Sequence, residues 1–461
     1  MGLFFKNGIV VTMSPDREII WDGAVYVEGD RIVEVGDTKQ LSQKYETEAE
    51  RVVDASRRVL LPGFCNIHCH STLLICRGRA EDASNWDAIW GIMGSIAEAM
   101  TPEDAYMTSL LAHVEMLKSG ITSVVDSGIH MMRAGDAAVD SGIRAWLHEN
   151  PRDADGAKIR DYGVYEYDAA AGEKGLKSAV ELVYKFKGKD NGRVQCLLGA
   201  HATDVCSPDL LRKIRHEADR LDVGVTIHLC QNDIEPKQCK KAWGDWPGVM
   251  MEKAGFLGRD FIGGHGIFVN EEDIEVMARN NCSVSHNPLI NAKRAHIAPV
   301  SDMMAGGLNV GLGSDNMFYD FLEVIKTAQV VWRLRVKDPT EPPPQTLLEM
   351  ATINGAKALR MEQKIGSLEA GKLADIVMMN YNRPRYTPLV EENVVSNLVH
   401  FGSASDVEMT VVGGKVLVDD FKYVAGDEQV IIDNAQQCGQ EVWIKAKEAW
   451  AKQMSRRVSK P

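Results

Sequence analysis

The sequence contains no Cys-x-x-Cys pair, no run of 18 apolar residues and no excess of positive charge. Without cysteines at that spacing, zinc ribbons and thioredoxin-like redox centres are excluded. Without a long apolar run there is no candidate transmembrane helix, and no membrane partner is expected. The 52 lysines and arginines are outnumbered by 65 aspartates and glutamates, leaving a net charge of −13. A surface of that sign repels phosphate backbones, so nucleic acid is not an expected partner. The opening residues, MGLFFKNG, lack the charged, apolar and small-residue segments of a secretory leader, and Lys6 breaks the myristoylation pattern. The nine cysteines follow no regular framework, which points to reduced thiols in a cytoplasmic protein. There is no GxSxG elbow, HExxH pair, GxxxxGK[ST] loop, GxGxxG turn or PCxxC. Serine hydrolases, zincin peptidases, P-loop and dinucleotide enzymes and the small zinc deaminases therefore drop out.

What is present is a chain of 461 residues, 45% apolar and 25% charged, able to bury a sizeable core. That length fits two or three domains, or one large α/β barrel with an accessory piece. Residues 1–60 read as short strands, with a hairpin over 24–36 around Glu28-Gly29-Asp30. Residues 361–430 repeat the style, with ADIVMM at 374–379 and a hairpin over 408–418 turning at Gly413-Gly414. The two ends are expected to meet in one small β domain. Residues 431–461 supply a closing helix.

The middle, 61–360, alternates apolar runs with helical stretches such as PEDAYMTSLLAHVEMLKSG at 102–120. This is the pattern of βα units around a parallel sheet. Eight runs can be counted, and each ends on a polar group: His68 and His70, Asp126, His148-Glu149, His201, His228 with Gln231, His265, His286-Asn287 and Asp315. Eight such units predict a (β/α)8 barrel, whose chemistry sits at the C-terminal ends of its strands. Six of the twelve histidines fall on the ends of runs one, four, five, six and seven.

His68-Cys69-His70 is the sharpest local signal. In a strand, residues i and i+2 share a face, so both imidazoles can meet one ion at about 2.0–2.1 Å. His228 and Asp315 complete a set of three imidazoles and one carboxylate. A catalytic metal of this kind keeps a position open for water and lowers its pKa towards about 7. Cys65 and Cys69 alternate to the other face and read as packing thiols.

Taken together, LPGFCNIHCH, GITSVVDSG, TIHL, GGHGI, SHNP and GLGSDN, followed by LLEMATINGAKAL and IGSLEAGKLADIVMM, resemble the amidohydrolase superfamily. The resemblance is closest to its branch of triazine hydrolases and cytosine, guanine and S-adenosylhomocysteine deaminases, and it runs to about residue 420. It implies a (β/α)8 barrel with a small β-sandwich built from both termini. It implies one divalent ion on His68, His70, His228 and Asp315, with zinc first and iron, cobalt or manganese as alternatives. It implies that His265 helps deprotonate the water, that Asp315 also carries protons, and that His201 and Glu98 contact substrate. It also implies a homodimer or homotetramer acting on a small molecule.

One position departs from the pattern. The branch carries H-x-x-E on the fifth strand, where the glutamate protonates a ring nitrogen; here the segment is His228-Leu229-Cys230-Gln231. A carboxamide donates and accepts hydrogen bonds but does not shuttle protons near neutral pH. Asp233 and Glu235 follow, yet a residue at a strand end cannot shift register without changing direction. Gln231 therefore argues for a non-standard substrate.

The reading is a hydrolase in which metal-activated hydroxide attacks an electrophilic carbon and a C–N bond breaks. Deamination and amide, urea or carbamate hydrolysis both fit. Displacement of halide or thiol from a heterocycle or thiocarbamate is the chemical alternative, and a barrel that binds ligand without turnover is the alternative of another class. Trp86, on the face it would share with Trp90, either packs or walls the substrate pocket. His286 either steadies the turn before Asn287-Pro288 or touches substrate, and His148 poses a similar choice.

Overall fold

Each apolar run of the middle segment becomes a strand because it is covered on both faces, by helices outside and by its fellow strands' side chains inside. In the computed structural model, which describes residues 2–83 and 87–458 (of Trp90 and 451–458 the backbone alone), barrel strands 1 to 3 are Phe64–Cys69, Ile121–Ser127 and Arg144–His148. Strand 4 comes in two pieces, Val194–Cys196 and Leu198–Ala202, and strands 5 to 8 are Val225–Leu229, Phe261–His265, Ser283–His286 and Asn309–Leu312. Neighbours pair in parallel throughout.

Strand 4 reads in the sequence as one run, VQCLLGAH. It divides at Leu197 because its first piece pairs with strand 3 and its second with strand 5. The ring closes beyond the end of strand 8, where the Asp315 amide donates to the His68 carbonyl at 3.0 Å and the His70 amide donates to the Asp315 carbonyl at 3.3 Å. Closure thus happens at the residues expected to hold a metal.

The helices between strands follow from capped, amphipathic segments. Helix Pro102–Lys118 starts on a reciprocal Thr101–Asp104 capping box, with proline in its first turn. Helix Pro208–Leu221 buries Leu210, Leu211, Ile214 and Ala218 along one stripe.

Strands from both ends of the chain form a separate nine-stranded sheet. Its seam is Arg58–Pro62 lying antiparallel to Ile376–Asn380, and Leu3, Phe5, Val25, Ile376, Met378 and Val411 share its core. Gly413 and Gly414 turn with φ of +53° and +73°, left-handed values that suit glycine in a two-residue hairpin. A buried fork fastens this sheet to the barrel: Arg144 donates from Nε and Nη2 to Asp375 at 2.7 and 2.9 Å. The last helix, Glu428–Val458, lies against helix Pro102–Lys118. Among the described residues, no helix is long and apolar enough to cross a membrane.

Candidate metal centre

Barrel strands deliver the five expected groups to one point. His68, His70, His228, His265 and Asp315 are all nearly inaccessible to solvent; the His68 ring lies 4.9 to 5.2 Å from the other three imidazoles, and His228 lies 5.2 Å from His70 and 5.8 Å from His265. His68 anchors two overlapping triads, one with His228 and His265 and one with His70 and Asp315; within each, the donor atoms lie within 4.8 Å. His70 Nε2 is 3.4 Å from Asp315 Oδ1, and His265 Nε2 is 3.8 Å from Asp315 Oδ2. The GGH sequence of strand 6 has a steric reason, since a Cβ on Gly264 would lie 2.9 Å from the His68 ring.

The backbone is bent to present these groups. His265 and Asp315 have φ of +78° and +59°, as do Cys230 and Met317 nearby at +46° and +69°. Positive φ in residues other than glycine costs free energy and persists where the surroundings impose it, commonly at functional sites.

The donor set fits a cation. His70 Nδ1 faces the Ser127 carbonyl at 3.0 Å, and His228 Nδ1 faces the His201 carbonyl at 2.5 Å. Carbonyls accept, so each Nδ1 carries the proton and each Nε2 presents a lone pair. Those two Nε2 atoms face each other at 3.2 Å, and His68 Nε2 is buried with no hydrogen-bond partner among the described residues. Lone pairs crowded in this way, with a carboxylate beside them, are what a divalent ion joins. Burial and the neighbouring imidazoles hold His68 and His228 well below the usual histidine range, in the neutral form that ligates.

Above this cluster opens a cavity of about 390 Å³. His70, His228, His265 and Asp315 form its floor, while Asn150, Arg152, His201, Gln231, Arg294 and Asn316 add polar wall. Leu73, Ile89, Met93 and Ile129 make one side apolar. His201 is held neutral, at about 3, by burial and then by the Arg152 charge.

Other expected residues stand elsewhere. Helix Gly94–Ala99 turns Glu98 outward, 56% exposed and 3.6 Å from Arg160, while Gly94 and Ala97 of the same helix line the cavity. His286 is buried behind the cluster, outside the lining, and burial followed by the His265 charge lowers it to about 3. Trp86 lies outside the described residues. Asp126 ends strand 2 but faces away from the cavity: it accepts from Ser71 Oγ at 2.6 Å, from the Ser71 amide at 2.9 Å and from His113 Nε2 at 3.2 Å. His148 is buried, outside the cavity lining.

Residues that the sequence reading passed over include Arg294 and Arg152, in the loops after strands 7 and 3, and Asn291, whose Oδ1 accepts from His265 Nδ1 at 3.1 Å. Their positions in strand-to-helix loops at the catalytic end of a barrel were the available signal. Asp233 points outward to Lys237 at 2.6 Å. Glu235 lies fully buried beneath the strand-5 loop, accepting from the Cys230 amide at 2.8 Å, the Gln231 amide at 2.9 Å and Thr203 Oγ1 at 2.6 Å. It thereby fixes where Gln231 begins.

Burial, then the nearby Asp204 carboxylate, push Glu235 well above the ordinary glutamate range. Folded protein then keeps a proton that the unfolded chain has released above the ordinary glutamate value of 4.5. Stability accordingly falls as pH rises from about 5 through neutrality. Thermal melts across that range should show the decline, and Glu235→Gln should flatten it whatever it does to the baseline. An unchanged slope in the variant would place the proton elsewhere.

Comparison with known proteins accords with this geometry. The Amidohydrolase family matches residues 59–417, a span that holds His68, His70, His228, His265 and Asp315. The chain belongs to the amidohydrolase family. It is similar to a 5'-deoxyadenosine deaminase of Methanosarcina barkeri, 35% identical over 446 residues, covering 95% of this chain and 98% of the relative. It is also similar to a 5-methylthioadenosine/S-adenosylhomocysteine deaminase of Desulforudis audaxviator, 34% identical over 441 residues with the same coverage. The fold matches a solved adenosine deaminase from Xanthomonas campestris with bound zinc, at a TM-score of 0.87 and 24% identity over 96% of this chain and 98% of that one. This amidohydrolase is a hydrolase of carbon–nitrogen bonds with a site for a divalent metal.

Proposed function

We propose that this amidohydrolase cleaves a C–N bond of a small molecule at a carbon that reacts without protonation of a ring nitrogen, as in an amide, urea or carbamate. One observation carries the reading. Gln231 occupies the cavity wall, and among the described residues Asp315, on the floor, is the only carboxylate of the lining.

His68, His70, His228 and Asp315 would hold the ion. When bound, the cation supplies Lewis acidity, polarising the substrate and bringing the pKa of water towards about 7. His265, fixed through Nδ1 by Asn291, turns Nε2 towards the floor and takes a proton from the attacking water. Asp315, 3.8 Å from that nitrogen, passes a proton to the departing nitrogen. Gln231 and His201 orient the substrate by hydrogen bonds.

Names of the relatives favour a second reading, removal of the amino group of an adenine nucleoside. In that case His265 or Asp315 must also protonate the ring. Zinc is the proposed ion, supported by the nitrogen and oxygen donors and by the solved neighbour with zinc. Nine buried free thiols support a cytoplasmic setting. Exposed Val330, Leu334, Phe401 and Ile444 offer apolar surface for a homodimer or homotetramer. No nucleic-acid or membrane partner is proposed.

The test is release of ammonia or amine from a panel of ureas, amides, carbamates, triazines, aminopyrimidines and purine nucleosides including 5'-deoxyadenosine. Substrates with no ring nitrogen to protonate should be favoured, and Gln231→Glu should lower their kcat/KM by about 10- to 100-fold, on the order of a misplaced polar contact. Turnover confined to nucleosides, or a variant that equals the parent on its best substrate, would contradict the first reading.

A further inference from the structure

The cavity's charge runs against that of the molecule. The chain carries a net −13, yet among the described residues the lining holds two guanidinium groups, Arg152 and Arg294, and one carboxylate, Asp315 on the floor. At position 231, where the superfamily branch carries a carboxylate, this chain has a neutral carboxamide. An ion on the floor would add further positive charge.

Arg294 is placed deliberately by its local structure. It caps helix Pro288–Lys293, its amide donating to the carbonyls of Ile290 and Asn291 at 3.1 Å. Asn291 in that helix is the residue that holds His265, so one short helix sets both the proton acceptor and the guanidinium. The adjacent Lys293 goes the other way, its Nζ over the Phe318 ring at 4.9 Å. Among the described residues, the Arg294 guanidinium makes no ion pair or hydrogen bond; it is half-buried in the cavity lining and feels the Asp315 charge. A guanidinium partly withdrawn from water and without a protein partner is open to a ligand that supplies acceptors. The planar fork suits a carboxylate, which it can bind through two parallel hydrogen bonds.

We infer that the substrate carries a carboxylate, received by Arg294 with Arg152 contributing to the positive wall, while the C–N bond lies over the histidine floor. The inference rests on the C–N hydrolase reading and adds the charge of the substrate to it. Gln231 belongs to the same design, since a glutamate there would repel an anion that a carboxamide can touch.

The experiment uses the metal-loaded full chain and matched probes: N-carbamoyl amino acids and aminopyrimidine carboxylates, each against its primary amide. Binding is measured by calorimetry and turnover by release of ammonia. The parent should prefer the acid of each pair. Arg294→Met should weaken the acids by about 10- to 100-fold, the range for losing charge-assisted hydrogen bonds, and weaken the matched amides much less, so that the preference for the acid of each pair disappears. Arg294→Lys should recover part of the loss, which shows that charge rather than folding is at issue. Three results would overturn the inference: preference for the amides, no binding of any acid, or acid binding that persists in Arg294→Met and so reports ligation of the metal alone. C–N hydrolysis of the neutral members in any of these cases would leave the hydrolase reading standing.

Discussion

Asp315→Ala is expected to cost turnover on the order of 10⁴-fold or more, the upper range for a group that moves protons, and to empty the metal site as well. Both losses follow from one position. Asp315 lies 3.4 Å from His70 Nε2 through one carboxylate oxygen and 3.8 Å from His265 Nε2 through the other, so a single side chain serves the ion and the proton path. Asn316 Nδ2 donates to Asp315 Oδ1 at 3.2 Å, and the left-handed backbone at 315 aims the group inward. Asp315→Asn keeps the shape and loses the charge. It should retain some metal at high concentration yet gain little rate, which separates the ligand's role from the carrier's. Steady-state kinetics and metal content of both variants check this. A variant with normal metal and normal rate would remove Asp315 from the chemistry.

His265→Asn is expected to lower kcat by about 10²- to 10⁴-fold while the protein keeps its metal. This outcome is the sharper of the two, because the geometry alone offers a competing assignment. His265 belongs to one of the triads that could hold an ion, with His68 and His228. Its Nδ1 is held by Asn291, as a ligating histidine's would be, but its Nε2 also faces the free oxygen of Asp315. If the proton role is right, rate and metal content part company in the variant. Loss of the ion together with the rate would make His265 a ligand instead.

Much of this site could be read before any coordinates. His68 and His70 share a face because strands alternate, and the ends of strands 5, 6 and 8 were marked by His228, His265 and Asp315 at the close of apolar runs. The strand-end pattern does not say which way a side chain turns, and Asp126 shows the difference: it ends strand 2 as plainly as Asp315 follows strand 8, but it ties Ser71 and His113 together beneath the loop. Glu98 illustrates a second limit. The preceding Asp87–Met93 stretch winds as a π-helix, which shifts the phase of every later residue, so Gly94 and Ala97 face the cavity and Glu98 does not. Arg294 was hidden for a third reason. A Lys-Arg pair in a loop looks solvated, and only the end of helix Pro288–Lys293 sends one member out and the other in. Both terminal hairpins were legible from their glycine turns, whereas the split of strand 4 at Leu197 depends on which neighbour each half meets and leaves no mark on composition.

The decisive measurement is metal stoichiometry coupled to activity on the full-length protein. Elemental analysis should find one divalent ion per chain, a chelator should remove the ion and C–N hydrolysis together, and adding the metal back should restore both. A protein that hydrolyses its substrate at an undiminished rate with no stoichiometric metal would contradict the proposal that His68, His70, His228 and Asp315 gather on one cation.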